Sequence, residues 1–254
     1  MIIAQLSDLH CTVPGERAVK RYDTNAALAR AVERVNGLRP RPDLVVVTGD
    51  IGNGPKPGEY GPAAELLGRL EIPFLPLPGN HDDRQGLREA FGHLGLFPAE
   101  GEFLHYEHRV GGLRILALDT VIPMDVPGRL CDARLSWVEA RLREDSGPTL
   151  VIMHHPPFLV GSGVMDPIRC QGGEAFEMLL RQHGNIAGVL CGHVHRGIAV
   201  PFAGTLGFCA PSTGMLLAFD PTPGAPPVWT DDPPGFALHV WEPGVPLRSH
   251  VLTV

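Results

Sequence analysis

The sequence predicts an α/β fold: a sandwich of two β-sheets with helices on its outer faces. Three observations carry that expectation. Over the first two-thirds of the chain, short apolar runs alternate with amphipathic segments, which is the pattern of strands and helices in turn. After His195 the segments read as strands only. The 254 residues are 44% hydrophobic, enough to bury a full core, so 1–254 is read as one domain.

Taken in order, "IIAQL" (Ile2–Leu6) is a buried strand. "NAALARAVERVNGL" repeats apolar residues at Leu28, Val32, Val35 and Leu38, the spacing of one helix face. "DLVVVTGD" is a β-branched run and so a second buried strand. "PAAELLGRL" reads as a helix with Pro62 in its first turn and Leu66, Leu67 and Leu70 on one face. "FLPLPG" is a shorter strand, and "EFLHYEHRVGGLRILALD" a hairpin around Gly111-Gly112. "DARLSWVEARLRE" is a helix with Asp132 as N-cap and Leu135, Val138 and Leu142 facing inward. "TLVIM", "GEAFEMLLRQH" and "IAGVL" follow as strand, helix and strand. "GIAVPF", "TLGFCA" and "MLLAF" are strands, whereas "DPTPGAPPVWTDDPPG" holds too much proline for a central sheet and reads as a surface loop. "FALHVWEPGVPLRSHVLTV" closes the chain as a hairpin around Pro243-Gly244, so segment 214–254 completes a sheet or contributes oligomer contacts.

Composition excludes several function classes. The formal net charge is −7 and no Lys/Arg block occurs, which argues against a nucleic-acid polymer as partner. "MIIAQLSD" turns acidic too soon for a signal peptide, and no stretch approaches the ~20 apolar residues of a membrane span. The five cysteines form no CxxC pair and read as reduced thiols of a cytoplasmic protein.

Five strand-like runs end alike. "MIIAQLSDLH" ends in Asp8 and His10, "DLVVVTGD" in Asp50, and "FLPLPGNHDD" in Asn80 and His81. "TLVIMHHPP" ends in His154 and His155, and "GVLCGHVH" in His193 and His195. Ligands of α/β proteins gather outside the carboxyl ends of strands, so these ends are expected to form one site. Asp8/His10 and His193/His195 stand two apart, and in extended backbone such residues point the same way. Oxygen and imidazole donors without thiolate suit Mn, Fe, Zn or Co. Asp8, His10, Asp50, Asn80, His154, His193 and His195 are too many donors for one four-coordinate ion. Two ions sharing a carboxylate would use them all, with Asp50 as the bridge through its two oxygens.

Each piece alone has an ordinary explanation. Gly79-Asn80 is turn chemistry, "SDLH" could cap a helix, and "GHVH" could be a chance pair. Their coincidence, each after a strand and in the order D-x-H, G-D, G-N-H-D, H, G-H-x-H, resembles the calcineurin-like metallophosphoesterases. The likeness is greatest to class III cyclic-nucleotide phosphodiesterases and bacterial glycerophosphodiesterases, and runs from Ile2 to about Thr213. It implies a four-layer α/β/β/α sandwich of two mixed β-sheets. One divalent ion would take Asp8, His10, Asp50 and His195, and the second Asp50, Asn80, His154 and His193. Mn2+ and Fe are the foremost metals, with Zn2+ or Co2+ also compatible.

The expected chemistry is hydrolysis of a small phosphodiester, such as cAMP or a glycerophosphodiester, by in-line attack of a metal-bridging hydroxide. With two dications near +4 and Asp8, Asp50 and hydroxide near −3, the centre keeps roughly +1, suited to a diester anion. His81 is the candidate acid for the leaving oxygen and a substrate contact. His155 either contacts substrate or orients His154, and Asn53 either reaches a phosphate oxygen or shapes a turn. Cys11 and Cys191 flank ligands as small buried hydrophobes, and His93, His105, His108, His183, His239 and His250 are surface or packing residues. "SGVMDPIRC" (Ser162–Cys170) and residues 53–60 are the loops expected to choose the substrate. The competing readings are a broad phosphomonoesterase on the same ligands and a non-catalytic interaction protein. The second of these should show gaps among the ligands, and the sequence has none. The resemblance also implies a homo-oligomer, a dimer or higher.

Overall fold

Every apolar run read as a strand has a hydrogen-bonded partner in the structure. This is a computed structural model describing residues 1–54, 56 and 58–254. Pro55 and Pro57, within the loop 53–60 singled out above, lie outside the described residues. The strands are β1 (Ile2–Leu6), β2 (Leu44–Thr48), β3 (Phe74–Leu77), β4 (Tyr106–Val110), β5 (Leu113–Leu118), β6 (Thr149–Met153) and β7 (Ile186–Cys191). After them come β8 (Ile198–Phe202), β9 (Thr205–Cys209), β10 (Leu216–Leu217), β11 (Trp229–Thr230), β12 (Gly235–Glu242) and β13 (Val245–Thr253). The helices are α1 (Thr24–Gly37), α2 (Tyr60–Leu67), α3 (Arg84–Phe91), α4 (Asp132–Glu144) and α5 (Gly173–Arg181).

One sheet has the order β13-β12-β1-β2-β3 and the other β4-β5-β6-β7-β9-β8, and each mixes parallel and antiparallel pairs. Three apolar layers explain the stacking. Ile3, Val46 and Leu75 of the first sheet meet Ile115, Ile152 and Leu190 of the second. The other face of the first sheet packs Ala4, Val45 and Val47 on Leu28, Val32, Leu67 and Leu87 of α1, α2 and α3. The second sheet packs Leu116, Val151 and Val189 on Val138, Leu142, Phe176 and Leu180 of α4 and α5. The order of layers is therefore α/β/β/α, as expected. Strands buried on both faces read as continuous apolar runs, which made β1, β2, β5, β6 and β7 legible. The terminal hairpin pairs β12 antiparallel to β1 and extends the first sheet by two strands.

Several local expectations need correction. Asp132 is the first helical residue of α4, and Cys131 takes the N-cap position without a side-chain bond. Asp132 there complements the positive end of the helix dipole. Helix α3 was not expected, because Gly86 interrupts its short pattern; Asp83 caps it by accepting from Gly86 N, and Leu87 and Phe91 are buried on one face. "MLLAF" contributes only the paired Leu216–Leu217, and its partner Trp229–Thr230 lies inside the segment read as a surface loop.

Candidate metal centre and active site

The parallel strands β1, β2 and β3 and the parallel strands β6 and β7 bring their carboxyl ends together where the two sheets meet. Gly192 N donates to His154 O within the second sheet, and His193 N donates to the Asp8 carboxylate, joining the two sheets at this edge. The chain leaves the strands through sharp turns. Asp8, His10, Asp50, His193 and His195 all have positive φ, between 46° and 70°. They are thus not in extended backbone, and the i, i+2 argument fails. Asp8 and His10 do share a cluster, but His193 and His195 diverge to different ones. Close approach also demands glycine. A Cβ on Gly79 would stand 2.2 Å from Asp50 Oδ1, and one on Gly192 2.1 Å from Ser7 Oγ.

Asp8, His10, Asp50 and His195 form one cluster, with potential donor atoms all within 4.8 Å of one another. His10 Nε2 lies 3.2 Å from His195 Nε2 and 3.5 Å from Asp50 Oδ2, and His195 Nε2 is 3.4 Å from Asp8 Oδ1. Tetrahedral donors at bond lengths near 2.1 Å stand about 3.4 Å apart, so this spacing fits one ion. His154, His155 and His193 form the second cluster, with Asn80 Oδ1 3.2 Å from His154 Nε2. Asp50 Oδ2 also lies 3.4 Å from His154 Nε2. A single carboxylate oxygen of Asp50 thus faces both clusters, where the sequence reading expected both oxygens to serve as donors. The other oxygen, Oδ1, is held by the backbone N–H of His81 at 2.9 Å.

Backbone carbonyls set the tautomers. A carbonyl only accepts, so His154 and His195 carry their proton on Nδ1, toward Thr48 O and Met215 O, both at 2.8 Å. His193 carries its proton on Nε2, toward Ile168 O at 3.1 Å. Each ring turns its free nitrogen inward, as metal-binding imidazoles do. The loop Ser162–Cys170 thus reaches the site through the Ile168 carbonyl.

The electrostatics call for cations. Asp8 is fully buried, and burial lifts its carboxyl above the usual range. Burial pushes Asp50 the same way, but the imidazoles of His154, His81 and His10 outweigh it and hold that carboxyl well down. Burial opposes a proton on His154, yet Asp50 beside it raises the imidazole to about 9. His10 Nδ1 is buried without a hydrogen-bond partner among the described residues. Converging lone pairs and buried carboxylates of this kind are costly unless positive charge sits among them. The donor set therefore fits two divalent ions.

The family model described as calcineurin-like phosphoesterase matches residues 1–197. This chain belongs to that family. The phosphoesterase is 38% identical over 201 residues to glycerophosphodiester phosphodiesterase GpdQ of Enterobacter lignolyticus, covering 77% of this chain and 71% of the relative. It is 33% identical over 199 residues to 3',5'-cyclic adenosine monophosphate phosphodiesterase CpdA of Pseudomonas aeruginosa, covering 77% and 70%. A dimetal phosphatase from Danio rerio superposes with a TM-score of 0.72 at 16% identity, over 98% of each chain, and so shares the fold.

Other candidates in the phosphoesterase are resolved by their partners. His81 Nδ1 donates to Asn53 O at 2.8 Å, and His81 borders a cavity of about 320 Å³ with Asn80, Val121, Pro123 and Met124. Asn53 thus meets His81 through its backbone. His155 is fully buried, donates from Nε2 to Val126 O at 3.0 Å, and accepts at Nδ1 from Thr120 Oγ1 at 2.8 Å. Both its nitrogens are committed, and its ring centroid lies 4.7 Å from that of His154. That favours the orienting reading over the substrate one.

Asp82 went unnoticed in the sequence. Its carboxylate accepts from Ile51 N, Gly52 N and Gly79 N at 2.9–3.0 Å, tying the turn that carries Asp50 to the one that carries Asn80. Burial, then the nearby Asp50, raise it to about 6. The second Asp in "GNHDD" was the available signal. The carbonyls of Thr48, Ile168 and Met215 left none, because every residue has one.

Proposed function

We propose that this chain is a metal-dependent phosphodiesterase for small diesters, cyclic nucleotides such as cAMP or glycerophosphodiesters. The observation that carries the reading is Asp50 Oδ2, 3.5 Å from His10 Nε2 in one donor cluster and 3.4 Å from His154 Nε2 in the other. In this reading Asp8, His10, Asp50 and His195 hold one divalent ion, and Asp50, Asn80, His154 and His193 the other. Mn2+ or Fe is favoured, with Zn2+ or Co2+ compatible. Such a pair, when bound, supplies Lewis acidity to the phosphoryl group and lowers the pKa of water to yield a nucleophile.

The protein's own groups do the rest. Asn80 contributes a neutral amide oxygen, which leaves the centre more positive than a carboxylate would and favours an anionic diester. His81 donates from Nδ1 to the Asn53 carbonyl, and in its doubly protonated imidazolium form it carries a second proton on Nε2 to hand to the departing alkoxide. His154, His193 and His195 are held rigid by carbonyls, so little reorganisation accompanies the reaction. The reading takes 1–254 as one cytoplasmic catalytic domain that assembles as a homo-oligomer. Its partners are small diesters rather than nucleic-acid polymers or membranes; among the described residues, no helix is long and apolar enough to cross a membrane.

The test is hydrolysis of bis-aryl and mono-aryl phosphate by the chain loaded with a fixed concentration of Mn2+. The diester should be cleaved faster, and a clear monoester preference would overturn the assignment. His81→Ala should slow alkyl diesters by 10²-fold or more while sparing activated aryl diesters, whose leaving group needs no proton. Equal losses on both would remove His81 from the acid role.

A further inference from the structure

A file of hydrogen bonds runs through the interior of the first sheet, from β13 to Asp8. Ser249 on β13 meets His239 Nδ1 on β12 at 2.7 Å, and His239 Nε2 meets Gln5 Oε1 on β1 at 2.9 Å. Gln5 Nε2 reaches Thr48 Oγ1 on β2 at 2.9 Å, Thr48 Oγ1 reaches Ser7 Oγ at 2.8 Å, and Ser7 Oγ reaches Asp8 Oδ2 at 2.6 Å. Gln5, Ser7, Asp8, Thr48 and His239 all have 0% exposure.

Two acceptors, the Cys191 carbonyl and the Asp8 carboxylate, fix the direction of the bonds. Gln5 Nε2 also lies 2.8 Å from Cys191 O, which only accepts, so the amide nitrogen must point there and Oε1 must face His239. His239 therefore carries its proton on Nε2 and accepts at Nδ1, so Ser249 donates. Burial keeps this imidazole neutral by pushing it down to about 3. At the other end, Thr48 Oγ1 receives the amide proton and gives its own to Ser7, which gives its own to Asp8. All the donors point toward the carboxylate.

Leucine or valine would fill these positions at lower desolvation cost, since the neighbouring core is Ile3, Val46, Phe208 and Ala237. No member of the file is left unpaired, as a buried network requires. We propose that the file is a positioning device for Asp8, in which Thr48, Gln5 and His239 hold Ser7 so that its hydroxyl fixes Oδ2, while Oδ1, which also accepts from His193 N at 3.0 Å, faces His195. Thr48, Gln5 and His239 are thus positioning residues, and the terminal hairpin acts on the metal centre as well as completing a sheet. The inference rests on the reading that Asp8 holds a cation.

The experiment is calorimetric titration of Mn2+ into the chelator-stripped full chain, for wild type, Thr48→Val, Thr48→Ser and Ser249→Ala, with thermal unfolding measured in parallel. Thr48→Val should weaken Mn2+ binding by about 10-fold or more, Thr48→Ser should restore it, and Ser249→Ala should weaken it less, in the same direction. Wild-type Mn2+ affinity in Thr48→Val, even with a lowered Tm, would reduce the file to a packing feature and overturn the proposal. Should Thr48→Val fail to fold, histidine nitrogen NMR on the wild type decides. A neutral Nε2–H form at His239 supports the file, and an Nδ1–H form overturns it. Absence of Mn2+ binding to wild type would instead strike the metal-dependent reading itself.

Discussion

Asp8, His10, Asp50, His193 and His195 each pay for their position with a left-handed backbone, at about 1–3 kcal/mol apiece for residues other than glycine. Such strain persists only where the surroundings over-determine it, and here it re-aims side chains that the strands alone would send elsewhere. Residue identity was legible, since seven donors stand in motif order. Conformation was not, because nothing in "SDLH" or "GHVH" announces positive φ. A second residue-scale consequence lies away from the centre. His105 is buried, accepts from Asp119 N at 2.9 Å, and leaves Nε2 without a partner among the described residues. Burial, with the cations of Arg134 and Arg84, lowers it to about 4. The folded imidazole is thus neutral at pH values where the unfolded one, near 6.5, takes a proton. Its share of stability is complete above pH 6.5 and is lost as pH falls toward 4, by about 1.4 kcal/mol per pH unit. Urea unfolding between pH 7 and 5 should show a shallower loss for His105→Asn than for wild type. Parallel curves would refute the assignment.

At the scale of elements, the buried strands announced themselves and the segment between β10 and β12 did not. Its proline content disguised a strap across the site. Trp229 on β11 packs edge-on against His195, ring centroids 5.1 Å apart, and Tyr22 Oη donates to Thr230 O at 2.9 Å. Arg21 pairs with Asp231, and Arg196 donates to Leu217 O. Proline counts against a central strand, but not against a two-residue edge pair held by side chains from elsewhere. Trp137 packs beside His105 and Trp241 lies between the sheets, so among the described residues Trp229 is the tryptophan packed against a candidate ligand. Co2+ added to the stripped chain should quench tryptophan fluorescence, and Trp229→Phe should lose most of that quench while still binding the ion. An undiminished quench in the variant would place the reporter elsewhere.

For the whole molecule, the two sheets converge on buried carboxylates and inward-facing imidazole lone pairs, which positive charge among them would stabilise. Cation binding should therefore be a large part of its stability. A ligand that binds only the folded state adds about 2.7 kcal/mol per site at a hundredfold excess over Kd. In a chain of this size that corresponds to a rise in Tm of about 5–10 °C. Chelation should lower Tm and abolish diester hydrolysis together, and Mn2+ should restore both in proportion to about two equivalents bound. Unchanged Tm with no Mn2+ retained would contradict the centre described here.

The sequence by itself determined the donor types, their order along the chain, the strands that end in them and the layered α/β architecture. Those properties are encoded locally, in residue chemistry and in the period of apolar residues. Only the tertiary structure decided that His193 and His195 part company, that one oxygen of Asp50 faces both donor clusters, that both nitrogens of His155 are taken up by Thr120 and Val126, and that Asp82 ties two strand ends together. The physical reason is that each depends on a partner supplied from far along the chain. Gln5 is oriented by a carbonyl 186 residues away and His193 is anchored to Asp8 across 185, and neither separation is written in any local pattern.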